Sequence, residues 1–246
     1  EDYVYQIKRL ANPRVVSPIF GHMSAYIVGL KELSAALQAE NKRLVAVHEA
    51  RFGRADKGLP WIDLRKFPLT GVDVVDRYSY RVRIKGKYPQ FLYWLATPFL
   101  APLPVEADQF YSQRGMNAGR NLTLDWFPVG TGPYMLTENN PNARMVLARN
   151  PNFRGEAYPS EGEPGDAAEG LLRDAGKAVP FIDRVVFTRE KEGIPYWNKF
   201  LQGYYDQSGI SSDSFDQAVH LNLEGEASLT PEMRERGITL RTSVGT

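Results

Sequence analysis

Apolar positions along the first hundred residues change from helical spacing to strand spacing and back. Tyr3, Ile7 and Leu10 share one helical face, with Asp2 placed to cap the segment and Pro13 to close it. From Ser24 onward, Ile27, Leu30, Leu33 and Leu37 form one stripe while Lys31, Glu32, Gln38 and Lys42 fall outside it, which predicts an amphipathic helix packed on a core. The period then becomes two. Tyr78, Tyr80, Val82 and Ile84 alternate with Ser79, Arg81, Arg83 and Lys85, as in a half-exposed antiparallel strand. Gln90 to Leu100 reads as a short apolar helix that ends before Pro102 and Pro104.

The next pattern is a glycine turn leading into strand. Pro128 to Leu136 reads Pro-Val-Gly-Thr-Gly-Pro-Tyr-Met-Leu, where Gly130 and Gly132 permit positive φ and Pro133 fixes its own φ. Met145, Leu147 and Arg149 then alternate with Arg144, Val146 and Ala148. The turn lacks the Lys-Ser/Thr ending of a phosphate-binding loop and is followed by strand rather than helix, so its expected role is to shape the scaffold.

Between Arg154 and Pro180, five glycines, three prolines and six acidic residues leave few large apolar side chains, predicting a long surface excursion with room for a short helix at Ala167 to Ala175. Beyond it, Ile182 to Thr188 is strand-like, and Pro195 to Tyr205 reads as a helix with Trp197, Phe200, Leu201 and Tyr204 inward. Thr230 and Pro231 open a helix that Gly237 ends, and Ile238, Leu240, Thr242 and Val244 alternate as a final strand. Helices between strands make this a mixed α/β chain.

Composition narrows the function classes. A chain of 246 residues with 43% hydrophobic residues can bury a substantial core. The formal net charge of +1 argues against a nucleic-acid binder and against a polybasic membrane-surface protein, since neither could draw on a large counterion-release or surface-potential term. With no cysteine, disulfides, thiol nucleophiles and thiolate metal sites are excluded, and no apolar run is long enough to span a bilayer. His22, His48 and His220 lack metal-ligand spacing, so no metal is expected. Ser208 to Phe215 is serine-rich but has no Gly-x-Ser-x-Gly elbow, and the acidic residues have no spacing that fixes a pair of catalytic carboxylates. No cofactor and no enzyme chemistry are indicated.

Five landmarks carry a family resemblance: the opening Glu1 to Leu10 (Glu-Asp-Tyr-Val-Tyr), the strand within Gly71 to Ile84, the glycine turn, Pro180 to Phe187 (Pro-Phe-Ile-Asp-Arg-Val-Val-Phe), and Phe200 to Asp206 (Phe-Leu-Gln-Gly-Tyr-Tyr-Asp). In this order they resemble the family 5 extracellular solute-binding proteins, the peptide receptors of bacterial ABC importers. The resemblance implies a mixed α+β lobe of a periplasmic-binding-protein-like (type II) fold. The chain would be incomplete, covering most of a first lobe, with residues 1–122 as a smaller subdomain and residues 123–246 as a core subdomain. Ser243, Val244, Gly245 and Thr246 would lead into the hinge.

By the same resemblance, the segment after Asp206 borders the ligand cleft. Ser208, Gly209, Ser211, Ser212 and Asp213 are therefore candidate ligand contacts, with Tyr205 beside them; the small residues let a ligand approach the main chain, and the hydroxyls donate and accept. The implied protein is a periplasmic or lipid-anchored monomer that binds a peptide or similar small solute and hands it to permease subunits. A ligand-sensing module of a regulatory protein and a serine-type hydrolase are the alternatives. The hydrolase would need a base within hydrogen-bond reach of Ser211 or Ser212.

Overall fold

The computed structural model describes residues 1–54, 58–116 and 120–242. Two compact units emerge, one of residues 1–139 and 147–185, the other of residues 140–146 and 186–246. The expected hinge residues Ser243, Val244, Gly245 and Thr246 lie outside the described residues.

The first unit is built on three helices, α1 (Asp2–Arg9), α2 (Phe20–Tyr26) and α3 (Leu30–Phe52). Ile7, Leu10, Ile27, Leu30, Leu33 and Leu37 of the predicted apolar stripes are each at most 5% exposed and lie in the core, whereas Tyr3 is 44% exposed and stacks on Tyr80. Asp2 is inside the first turn of α1 and Glu1 takes the cap position, without a side-chain cap bond.

The helix expected from Ser24 is interrupted, because Ile27 is extended and Gly29 is left-handed at φ 81°. Ile27 instead forms a β-bridge with Ile84 and is buried there. Backbone proximity explains the break: a Cβ on Gly29 would stand 2.4 Å from Thr70 Oγ1, and one on Gly71 would stand 2.2 Å from the Val28 carbonyl oxygen.

β1 (Val72–Val74) and β2 (Tyr80–Val82) pair antiparallel, with Val72 opposite Val82 and Val74 opposite Tyr80. Tyr80, Val82 and Ile84 are half-buried while Arg81, Arg83 and Lys85 are exposed, as the period-two pattern requires. Tyr78 lies past the ladder, in the turn, and is 86% exposed. The expected helix Gln90 to Leu100 resolves into α4 (Phe91–Leu95) and a separate 3-10 turn at Pro98–Leu100, since Pro98 cannot continue the helical bonding.

On α5 (Val105–Tyr111), Asp108 ties three segments together. Its Oδ2 accepts from Tyr5 Oη at 2.6 Å and Trp61 Nε1 at 2.8 Å, and its Oδ1 lies 3.4 Å from Arg9 Nε. Burial first, and then the bond to Asp108, push the Tyr5 hydroxyl well above its ordinary titration range.

β3 (Tyr134–Asn140), β4 (Arg144–Arg149) and β7 (Arg184–Thr188) form a three-stranded sheet with β4 in the middle, where Val146 is 2% exposed. The strands follow the glycine turn as expected. Contrary to expectation, neither Gly130 nor Gly132 adopts positive φ, and a Cβ on either would meet nothing within 4 Å. The turn is held instead by Asn150, whose Nδ2 donates to the Gly132 carbonyl and whose backbone N–H donates to the Pro133 carbonyl, both at 2.8 Å.

The excursion closes through the two-residue strands β5 (Glu156–Ala157) and β6 (Ala178–Val179), with Tyr158 Oη on the Leu171 carbonyl at 3.0 Å. Ala167 to Ala175 forms successive turns, not a helix; Gly170 is left-handed at φ 75°, which interrupts helical geometry.

The second unit centres on α6 (Gly193–Leu201), α7 (Ser212–Ala218), the hairpin of β8 (Val219–Leu221) and β9 (Ala227–Leu229), and α8 (Pro231–Glu235). Trp197, Ala218, Val219, Leu229 and Met233 form its core. Because α6 stops at Leu201 and Gly203 turns the chain at φ 81°, the helical period does not reach Tyr204, which is 72% exposed rather than inward.

Proline opens α8 as expected, but Thr230 does not cap it: its hydroxyl donates to the Gln217 carbonyl at 3.1 Å. Gly237 ends the helix at φ 72°. The expected final strand is absent among the described residues. Ile238 and Leu240 pack on the core from irregular chain, and Val244 lies outside the described residues.

Candidate functional site

The segment Tyr205 to Asp213 leaves α6 and enters α7, so its ends are set by those two helices. At the α6 end, Glu190 accepts from Lys199 Nζ at 2.5 Å and from the Tyr205 hydroxyl. These bonds hold the Glu190 carboxyl below its ordinary range, the Lys199 donation being the larger cause. Conversely, the bond to Glu190 raises both Lys199 and Tyr205 above their ordinary values. The Tyr196 and Tyr205 rings lie 5.9 Å apart, and Tyr196 Oη accepts from the Gly209 N–H at 2.9 Å.

The loop is also closed on itself. Ser208 Oγ donates to the Gly209 carbonyl at 2.7 Å, and Ser211 lies against Gly193, where an added Cβ would stand 3.9 Å from its Oγ. Ile210 packs on the core of the unit and anchors the middle of the loop. Ser212 and Asp213 are exposed in the first turn of α7, and their side chains make no hydrogen bond among the described residues.

The structure thus brings Tyr205, Ser208, Gly209 and Ser211 together around α6. The N–H and carbonyl of Gly209 and the Ser208 hydroxyl are already engaged, leaving the hydroxyls of Ser211 and Ser212 and the carboxylate of Asp213 for an incoming polar group. The sequence reading missed Glu190, Tyr196 and Lys199. Tyr196 and Lys199 stand three residues apart on α6, a usable signal of a shared face, whereas Glu190 sits before the helix with no pattern to mark it.

Other constellations are accounted for. His22 Nε2 bonds Tyr88 Oη at 2.7 Å within an aromatic cluster that includes Tyr26 and Trp94. His48 is buried and His220 is exposed on β8. Neither Ser211 nor Ser212 bonds a histidine, and no group of three or more His, Cys, Asp or Glu could hold a metal ion, both among the described residues. In the first unit, the glycine turn lines a cavity of about 760 Å³ bounded by Val129, Tyr134, Met135, Leu147 and Arg154.

The sequence model of the bacterial extracellular solute-binding proteins, family 5 Middle, matches residues 1–242. The chain belongs to that family.

This family 5 chain is 30% identical over 126 residues to the nickel-binding periplasmic protein of Escherichia coli (strain K12), a match covering 50% of the chain and 20% of that protein. Among solved structures, OppA of Burkholderia pseudomallei superimposes with a TM-score of 0.54 at 18% identity, covering 88% of the chain and 32% of OppA. The Haemophilus influenzae OppA complex with RPPGFSPFR gives 0.52 at 14% identity, covering 88% and 32%. The fold is therefore of the type II periplasmic-binding-protein kind, and the family 5 chain spans about a third of the length of these structures. No helix among the described residues is long and apolar enough to cross a membrane.

Proposed function

We propose that this chain is part of the substrate-binding component of an ABC importer, which captures an oligopeptide or similar small solute by closing two lobes around it and delivers it to a membrane permease. The match to the family model over residues 1–242 carries this reading. Residues 1–122 belong to the smaller subdomain of the first lobe and residues 123–246 to its core. The protein acts as a monomer in the periplasm or as a lipoprotein at the cell surface, and it performs no catalysis.

The ligand reaches the loop at Ser208, Gly209, Ser211, Ser212 and Asp213, with Tyr205 at its base. Serine hydroxyls suit a peptide backbone because each can donate to a carbonyl or accept from an N–H. The engagement of Gly209 with Tyr196 fixes the loop before ligand arrives, which lowers the ordering cost of binding. Closure is favoured to the extent that the closed state binds ligand better than the open one.

The 30% identity to a nickel-binding protein supports a second solute class, a metal complex. A thermal-shift screen of the intact protein against peptides pooled by length, sugars and metal chelates separates the readings. A peptide at 100 times its Kd adds about 2.7 kcal/mol of apparent stability. A rise with peptides is the expected result, a rise with chelates alone selects the second class, and no rise with any peptide pool overturns the peptide reading.

A further inference from the structure

The β1–β2 hairpin carries a charge distribution unlike that of the chain as a whole. Between Val72 and Tyr88 there are five basic residues, Arg77, Arg81, Arg83, Lys85 and Lys87, against two acidic ones, Asp73 and Asp76, in a protein whose formal charge is +1. The acids are engaged: Asp73 pairs with Arg83 at 2.7 Å, and Asp76 accepts from the Tyr78 N–H at 2.7 Å. Arg77, Arg81, Lys85 and Lys87 are exposed and have no ion-pair partner among the described residues. Arg77 stands over the Tyr78 ring at 5.6 Å.

The backbone beneath these cations is firmly held. β1 pairs with β2, Ile27 bridges Ile84, the Arg83 N–H donates to the Gly71 carbonyl at 2.7 Å, and the Lys85 N–H donates to the Tyr26 carbonyl at 2.8 Å. Arg81, Arg83 and Lys85 therefore project from one strand face at intervals of roughly 6.6 Å. At the end of the hairpin, Val74, Val75 and Tyr78 are 45%, 53% and 86% exposed.

We propose that this hairpin docks the protein on an anionic bilayer surface, the cations facing lipid phosphates and the tip entering the headgroup region. An acidic polypeptide or nucleic acid would satisfy the cations alone, whereas a bilayer offers both a plane of negative charge and an apolar layer beneath it. A tyrosine with an apolar ring and a polar hydroxyl suits that boundary, and each basic residue near an anionic surface strengthens attachment about fivefold. Attachment of this kind is reversible, falls with salt, and is independent of which solute the protein carries.

Flotation of the intact protein with vesicles of phosphatidylcholine alone, and of phosphatidylcholine mixed with phosphatidylglycerol, tests the proposal. Binding is expected only to the mixed vesicles and weakens with added salt. Combining Arg81→Gln, Lys85→Gln and Lys87→Gln lowers affinity about a hundredfold at unchanged Tm, Arg81→Lys alone preserves it, and Tyr78→Ser reduces it severalfold. The proposal is overturned by absence of binding to the mixed vesicles, by equal binding to neutral ones, by full affinity in the triple variant, or by capture of polyglutamate in place of vesicles.

Discussion

Gly71 and Gly130 look alike in the sequence, yet only one is required to be glycine. A Cβ on Gly71 would sit 2.2 Å from the Val28 carbonyl oxygen, which belongs to backbone and cannot rotate away, while one on Gly130 meets open space. Gly71→Ala is expected to cost about 1–3 kcal/mol through overpacking, and Gly130→Ala to stay within about 0.5 kcal/mol. Thermal and urea denaturation of the two variants check this, and equal losses would contradict the assignment.

Tyr5 gives a second residue-scale expectation. Its hydroxyl is raised by burial and by the Asp108 carboxylate, so the stability it contributes is complete below the ordinary tyrosine value near 10 and is lost as pH rises above it. Tyr5→Phe should cost about 1.5–3 kcal/mol at neutral pH, as for a hydrogen bond to a charged group, and should flatten this alkaline loss of Tm.

At the scale of elements, the loop from Tyr205 to Ser211 depends on α6. Removing the acceptor in Tyr196→Phe frees the Gly209 N–H, so amide exchange at Gly209 should accelerate at least tenfold while Trp197 fluorescence keeps its buried signature. Retained protection at Gly209 would show that the loop is held by other contacts.

The Glu190 network adds a pH signature at both ends of the scale. Because Glu190 is depressed, its contribution is present above the ordinary value of 4.5 and is lost as pH falls through the depressed one. Because Lys199 and Tyr205 are raised, theirs is complete below their ordinary values of 10.5 and 10.0 and is lost as pH climbs through the raised ones. Glu190→Gln should therefore lower Tm between these limits and flatten its fall at both the acid and the alkaline end; a profile superimposable on that of the unaltered protein would exclude the network as a stabilising element.

For the whole molecule, the chain's span of about a third of the OppA structures sets the expectation for binding. A cleft closed by two lobes divides its contacts between them, so the 246-residue chain by itself should bind peptides at least a hundredfold more weakly than the intact protein. Isothermal titration of both with the best peptide from the screen provides the comparison. Equal affinity would place the complete site within this chain.

The sequence by itself determined what depends on neighbours a few residues away. The stripes of α1 and α3, the alternation through Tyr80, Val82 and Ile84, the strands after the glycine turn, and the proline that opens α8 are local consequences of period and backbone preference. The order of landmarks was enough to place the chain in its family. Tertiary structure decided whatever depended on distant partners. Gly29 and Gly71 are fixed by Thr70 and Val28 across a close backbone approach, which no periodicity encodes. Ile238 and Leu240 alternate like a strand but pack against the core cluster that includes Trp197 and Met233, and they find no ladder partner among the described residues. The candidate loop was legible as small and polar residues, but Glu190, Tyr196 and Lys199, which hold it, are joined to it only by folding. Hydrogen bonds between segments 13 and 15 residues apart leave no mark in local pattern, because their geometry exists only once α6 has packed.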